Sequence, residues 1–110
     1  MKLPHEHGSY KNKVDLLDEN QAEKISKAMK QLGDPKRLQI FWFLCHREEC
    51  VLNIAAIMDM SSPAVSHHLR ILKLANLIES KRMGKEMFYK AKDNKLSKFL
   101  LETTKNAINL

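Results

Sequence analysis

The spacing of apolar residues along the chain predicts a mostly helical protein. Apolar side chains recur every three or four residues over 14–32, which predicts a first amphipathic helix that ends at Gly33. Asp34 and Pro35 form the next helix start, an N-cap followed by proline at the first helical position, and a strongly apolar second helix follows. The polar segment 46–49 is predicted to separate this helix from the third.

Two short helices follow, and their arrangement is typical of a helix-turn-helix. The first is predicted over 51–58 from its apolar positions, and the second over 63–75, with Ser62 as its N-cap and Pro63 at its first helical position. Two short helices joined by a turn of about four residues form the helix-turn-helix motif. The residues of the second helix that are predicted to face the core are Val65, Leu69 and Leu72.

A β-hairpin and a last helix complete the predicted order of elements. β-Favouring residues on both sides of a turn at 83–85 predict a hairpin with a basic tip. Beyond it, an apolar stripe runs from Leu96 to the C-terminus and predicts a helix that packs against a partner subunit. The order describes a winged helix-turn-helix domain over 14–110, preceded by a flexible N-terminal arm over 1–13 that lacks any apolar period.

The charge balance narrows the class of partner. Among the 110 residues, 19 Lys and Arg against 13 Asp and Glu give a formal net charge of +6, which favours a polyanion such as nucleic acid or an anionic membrane. The basic residues are spread over helix, hairpin and arm, which argues against a membrane-binding helix. The sequence shows neither a membrane span nor a signal peptide, and we expect a cytoplasmic protein.

The polar faces of the second short helix and the hairpin carry the candidate DNA-binding residues. In a major groove, Arg recognises guanine, Ser and His bond to bases or phosphates, and a small Ala permits close approach. Cations of the hairpin add salt-dependent affinity for the DNA backbone. The candidates are Ser62, Ala64, Ser66, His67, Arg70 and Lys73 in the helix, and Arg82 and Lys85 in the hairpin. The alternative is that each is an ordinary solvated residue or a helix cap.

His68 is interpreted differently from its neighbour His67. It lies three residues after Val65 and four before Leu72, on the packing face of the helix, and we interpret it as a histidine at the edge of the core.

The sequence shows no phosphate loop, carboxylate pair or pairing of a nucleophile with a base, so we expect no enzymatic activity.

Three segments together resemble the ArsR/SmtB family of dimeric winged-helix repressors. They are LGDPKRLQI at the second helix, AVSHHLRILK at the second helix of the helix-turn-helix, and LIESKRMGKEMFYKA at the hairpin. The resemblance implies a homodimer in which the first and last helices pair across a two-fold axis. It also implies repression at a double-stranded DNA operator, for which we expect an inverted repeat, and release when a metal ion binds at one of several sites.

The metal-site patterns of that family are only partly present. The family motif ELCVCD corresponds to 48–53, where Cys50 matches the first cysteine and Leu52 replaces the second. The positions of the other family site, in the last helix, hold residues of which only the first is a ligand type, namely Asp93, Lys95, Asn106 and Asn109. We therefore expect neither site in its family form.

A different group of thiols and imidazoles remains as the candidate inducer site. Thiolate and imidazole ligands suit Zn(II), Cd(II) or Cu(I), and no metal is expected to be required for folding. The alternatives are that both cysteines only pack, that they respond to oxidants or persulfides, or that the protein binds nucleic acid without sensing anything. The candidate ligands are Cys45, His46 and Cys50 near the third helix, and His5 and His7 in the arm.

Overall fold

The computed structural model describes residues 15–110, which form five helices and a three-stranded antiparallel sheet. The elements are α1 (Glu19–Gln31), α2 (Pro35–His46), β1 (Glu49–Cys50), α3 (Val51–Met58), α4 (Ser62–Leu74), β2 (Ile78–Met83), β3 (Glu86–Ala91) and α5 (Lys95–Ala107). Strand β3 lies between β1 and β2. The predicted winged helix-turn-helix is confirmed, with α3 and α4 as the helix-turn-helix and β2 and β3 as the wing.

Side-chain caps fix where helices α2 and α4 begin. The Asp34 carboxylate accepts a hydrogen bond from the Arg37 amide at 3.0 Å, as predicted for the start of α2. The prediction of Ser62 as the cap of α4 is wrong by one residue. Ser61 has extended backbone angles, and its Oγ accepts from the Ala64 amide at 3.2 Å, so Ser62 is already the first helical residue.

The two terminal helices are shorter than predicted. Helix α1 begins at Glu19 because Asp18 caps it by accepting from two backbone amides, so Leu17 lies before the helix. Helix α5 ends at Ala107, three residues before the C-terminus. The predicted flexible arm over 1–13, with His5 and His7, lies outside the described residues, as does Val14.

The core lies between α2, α3, α4 and the base of the wing. The side chains that are less than 2% exposed are Phe41, Ile40, Leu44, Ile54, Leu69, Leu72, Leu77, Ile78 and Val65. Burying an aliphatic or phenyl side chain of this size contributes about 1.5–3 kcal/mol, so this cluster holds the helix-turn-helix in place. By contrast, α1 buries only Ala28, and α5 buries only Ser97 and Leu100. The terminal helices therefore lie at the periphery of the monomer.

The polar break that the sequence predicts at 46–49 is shorter in the structure, because His46 ends α2 and strand β1 begins at Glu49. Glu49 and Cys50 pair with Tyr89 and Phe88 of β3, and both residues are buried. The Glu49 carboxylate accepts hydrogen bonds from the Cys50 amide at 3.2 Å and from Asn53 Nδ2 at 2.9 Å. These donors compensate for the loss of hydration, and so an acidic residue is tolerated at a buried position of the edge strand β1.

Candidate DNA-binding helix, wing and thiol residues

Helix α4 has one buried and one exposed face. Val65, Leu69 and Leu72 are at most 1% exposed and anchor the helix to the core. The α-helical period then turns the intervening positions outward, and the exposed candidates are Ser66, His67, Arg70 and Lys73. Ser62 and Ala64, in the first turn, are half-buried. The predicted DNA-facing surface is therefore solvent-accessible at the middle of α4 and partly covered at its start.

The turn between α3 and α4 sets the direction in which α4 leaves the core. Asp59 adopts the left-handed conformation, with φ of 53°, at the end of α3. The Met60 amide donates to the Ala55 carbonyl at 3.0 Å, which closes the turn. Aspartate tolerates a left-handed conformation better than most residues, so this position suits the sequence.

The wing presents cations at its tip. Met83 pairs with Glu86, which leaves Gly84 and Lys85 as a two-residue turn, and Gly84 has φ of 66°. Arg82 and Lys85 are exposed, as predicted for residues that contact the DNA backbone. Among residues 15–110 neither of them forms an ion pair with a carboxylate. Both cations are thus accessible to a polyanion.

Lys73 makes an internal contact that the helical period does not predict. Its Nζ donates a hydrogen bond to Ser80 Oγ of β2 at 2.7 Å, although the side chain is exposed. The bond joins the end of α4 to the wing, so Lys73 also fixes the relative position of the two elements. Ser80 lies seven residues along the chain, in another element, and no sequence pattern marks it as the partner.

The three thiol and imidazole candidates that the structure describes do not converge on one point. Cys45 lines a cavity of about 260 Å³ together with residues of the β3–α5 connection and α5, including Ser97 and Leu101. Cys50 lines a separate cavity of about 270 Å³ with Met87 and Tyr89 of β3. Within residues 15–110, no group of three or more His, Cys, Asp or Glu side chains is arranged to hold a metal ion.

The Cys45 thiol and the His46 imidazole differ in how readily each could bind a metal ion. Burial raises the pKa of the Cys45 thiol to about 11, against a smaller opposing effect of Lys105, so Cys45 is a neutral thiol at pH 7. His46 Nδ1 lies 2.6 Å from the Trp42 carbonyl oxygen and, when protonated, donates there, which leaves Nε2 as the nitrogen that could bind a metal ion. The described residues do not fit a metal ion without further ligands.

His68 is half-buried, in agreement with its interpretation as a histidine at the edge of the core. Its Nδ1 accepts a hydrogen bond from Arg37 Nε at 3.2 Å. The two residues are 31 positions apart in sequence, so the local pattern predicts the burial of His68 but not its partner.

No helix in the described part of the chain is long and apolar enough to cross a membrane.

Comparison with known proteins connects this geometry to a family. Residues 34–80 match the family model described as bacterial regulatory protein, arsR family. The chain is 36% identical over 80 residues to a transcriptional repressor SmtB homolog of Synechocystis, an alignment that covers 73% of this chain and 61% of that relative. It is 34% identical over 90 residues to the arsenical resistance operon repressor of Bacillus subtilis, covering 78% and 86%. It is 33% identical over 90 residues to a CadC homolog of Staphylococcus aureus, a cadmium resistance regulatory protein, covering 81% and 74%.

Solved structures share the fold. HlyU from Vibrio cholerae superposes with a TM-score of 0.77 at 22% identity, covering 84% of this chain and all of that one. The homodimeric winged helix-turn-helix domain of Mb0332 from Mycobacterium bovis gives a TM-score of 0.72 at 24% identity, covering 87% and 90%. The resemblance to the ArsR/SmtB family is thereby confirmed. The chain belongs to the ArsR family of bacterial regulatory proteins and is a DNA-binding transcriptional regulator rather than an enzyme.

Proposed function

We propose that this protein is a homodimeric transcriptional repressor that binds an inverted-repeat DNA operator through helix α4 of each protomer. The observation that carries the proposal is the two-faced α4, whose inner side chains are fully buried while Ser66, His67 and Arg70 are exposed. The Bacillus subtilis relative is named a repressor. Helix α4 is the second helix of the helix-turn-helix, the one that enters the major groove in proteins of this fold.

Each exposed residue has a role that suits its chemistry. Arg70 makes a bidentate contact with guanine, and Ser66 and His67 bond to bases or phosphates. Ala64 lets the DNA approach the start of the helix closely, and Ser62 lies beside it in the first turn. In the wing, Arg82 and Lys85 contact phosphates and contribute affinity without sequence preference, with Lys73 at the junction of helix and wing.

The apolar surface left open by α1 and α5 supports the homodimer. Leu17, Ile25, Leu96 and Phe99 line an open groove of about 470 Å³ between the two helices. Phe99 is 50% exposed and Met29 of α1 is 45% exposed. Exposed apolar surface of this kind marks protein interfaces, and the Mycobacterium bovis domain with the same fold is homodimeric. The first and last helices therefore form the proposed dimer interface.

Footprinting together with sedimentation tests this proposal. On the DNA upstream of its own gene, the protein is expected to protect two half-sites whose centres are about one helical turn, 10–10.5 base pairs, or a multiple of that apart. Sedimentation equilibrium is expected to give twice the chain mass, and Phe99→Glu is expected to shift the protein toward monomer. Monomeric wild-type protein at micromolar concentration, or one unpaired protected site, would contradict the proposal.

A thiophilic metal ion is the inducer class that the relatives favour. The Staphylococcus aureus and Bacillus subtilis relatives are named for cadmium and arsenical resistance. Since Cys45, His46 and Cys50 do not form a site by themselves, a metal site that uses them needs additional ligands, for which His5 and His7 are the candidates in the sequence.

Fluorescence anisotropy on the operator separates the inducer classes. Zn(II), Cd(II), Cu(I) and arsenite are titrated into the complex under reductant, with wild type compared to Cys50→Ser and to His5→Gln with His7→Gln. Release by one ion that these variants abolish, and that a chelator reverses, supports the metal site. Release by an oxidant or persulfide donor that reductant reverses would instead support the thiol-responsive alternative.

A further inference from the structure

We propose that Arg37 and His68 are a positioning pair that holds the DNA-binding face of α4 in register with the α1–α2 junction. The pair acts only while the His68 imidazole is neutral, so that acid weakens operator binding. This inference rests on the proposed function, because its consequence is a change in operator affinity. It assigns a role to two side chains outside the set that contacts DNA.

One guanidinium connects three helices. Arg37 Nε donates to His68 Nδ1 of α4 at 3.2 Å, and Arg37 Nη1 donates to the carbonyl oxygen of Gln31, the last residue of α1, at 3.0 Å. The Arg37 amide also donates to the Asp34 cap of α2. Because the guanidinium fork is rigid and planar, these bonds fix α4 in both position and rotation relative to the other two helices.

The place of His68 on α4 makes this restraint relevant to DNA. His67, its neighbour, is exposed, and the centroids of the two imidazole rings are 5.9 Å apart. Adjacent residues of a helix point about 100° apart, so a bond that holds His68 against Arg37 also sets the direction in which His67 and Ser66 face outward. A small rotation of α4 would move these contacts away from the base edges.

The charges around His68 determine when the bond exists. Asp34 and Arg37 face it from α2, His67 is adjacent on α4, and α1 contributes the Gln31 carbonyl to Arg37. Burial lowers the pKa of His68, Asp34 opposes this, and Arg37 and His67 lower it further, with a net decrease. At pH 7 the ring is therefore neutral, with Nδ1 free to accept.

Protonation reverses the contact. When His68 takes a proton from solvent, Nδ1 becomes a donor that faces the donating and positively charged Arg37. Since the pKa of His68 is lower in the docked arrangement than its ordinary value of about 6.5, protonation favours the displaced arrangement. Operator affinity is therefore lost as the pH falls below about 6.5 and is retained above it.

The test compares wild type, His68→Asn and His68→Leu on operator and random duplexes between pH 7.5 and 5.5 at constant salt. Asparagine places an acceptor oxygen near the position of Nδ1 and does not titrate, whereas leucine removes the acceptor. We expect wild type to lose operator affinity about fivefold more than His68→Asn does over this range. His68→Leu is expected to bind the operator more weakly at every pH, with a smaller loss on random DNA.

His67 is unchanged in all three proteins, so its effect is common to them and cancels in the comparison. Nitrogen NMR of the wild-type imidazoles gives a second reading that needs no variant, with unprotonated Nδ1 and protonated Nε2 expected for His68 at pH 7. Identical pH profiles for wild type and His68→Asn, or the opposite tautomer, would overturn the positioning role while the operator preference at pH 7.5 stands. Loss of that preference in folded wild-type protein at pH 7.5 would contradict both the pair and the proposed function.

Discussion

Helix α4 carries the candidate DNA-binding residues and the segment 45–50 carries the candidate metal ligands, and the two regions differ in how their side chains are arranged. In α4, the exposed Ser66, His67 and Arg70 lie on one regular element whose inner face is fully buried. In the segment 45–50, Cys45 and Cys50 line separate cavities. A surface on one helix follows from the helical period alone, whereas a metal site requires several elements to meet in space. Sequence spacing predicts the first much better than the second.

The assignment of a buried and an exposed face to α4 can be tested by replacing neighbouring residues on the two faces. Leu69→Ala removes a side chain that is 1% exposed, and it is expected to lower the free energy of unfolding by about 2–5 kcal/mol. Arg70→Ala, one position along, is expected to leave it within about 0.5 kcal/mol. Urea denaturation monitored by circular dichroism measures both. Similar losses for the two variants would show that the faces of α4 are wrongly assigned.

The reactivity of the Cys45 thiol tests the account of the segment 45–50. With a pKa of about 11 against the ordinary value of 9.0, Cys45 is expected to react with iodoacetamide about 100-fold more slowly at pH 8 than an unperturbed thiol. Peptide mass spectrometry resolves the two cysteines and gives the pH dependence for each. Because the raised pKa favours the neutral thiol in the folded chain, its contribution to stability is complete below about pH 9 and lost as the pH rises through about 11. An apparent pKa near 7 for Cys45 alkylation would mark it as a reactive thiol.

Arg70→Ala also tests whether α4 recognises bases of the operator. Loss of a bidentate contact with guanine is expected to reduce operator affinity about tenfold for each half-site and to relax the preference at one base pair of each half-site. Random DNA is expected to be much less affected. A matched control is Lys30→Ala, which removes an exposed cation of α1 away from the helix-turn-helix. If Arg70→Ala weakens operator and random DNA equally, Arg70 contacts phosphate and not a base.

A substitution at the tip of the wing is expected to have the smallest effect on DNA binding. Lys85→Ala removes one exposed phosphate-binding cation from each protomer of the proposed dimer and is expected to flatten the slope of log K against log salt by about 0.9 for each cation removed. The loss of affinity is expected to be the same on operator and random duplexes, as anisotropy titrations at several salt concentrations would show. A loss confined to the operator would assign sequence recognition to the wing.

The fold could be predicted from the sequence because most of its elements carry local signals. The cap at Asp34, the apolar period of α4 and the turn at Gly84 each depend on residues within a few positions of one another. Strand β1 could not be predicted, because two residues show no period and its partner strand lies nearly forty positions away. The adjacent serines at the start of α4 are both good caps, so the choice between them needed the backbone angles.

The candidate sites were predictable to different extents for the same physical reason. The exposure of Ser66, His67 and Arg70 follows from α4 itself. The bonds of Lys73 to Ser80 and of Arg37 to His68 join separate elements, so they depend on how α4 packs against the wing and α2. The separation of Cys45 from Cys50 likewise depends on the sheet, because β1 directs Cys50 toward β3.

The most direct test of the central claim, that α4 recognises a DNA sequence, is a binding competition at one salt concentration. Fluorescence anisotropy compares a duplex from the DNA upstream of the gene with a scrambled duplex of the same composition. Sequence recognition by α4 predicts a preference of about 1,000-fold or more for the upstream duplex at physiological salt. Equal affinities with a steep salt dependence would show that the protein binds DNA only through its positive charge, and would contradict the claim.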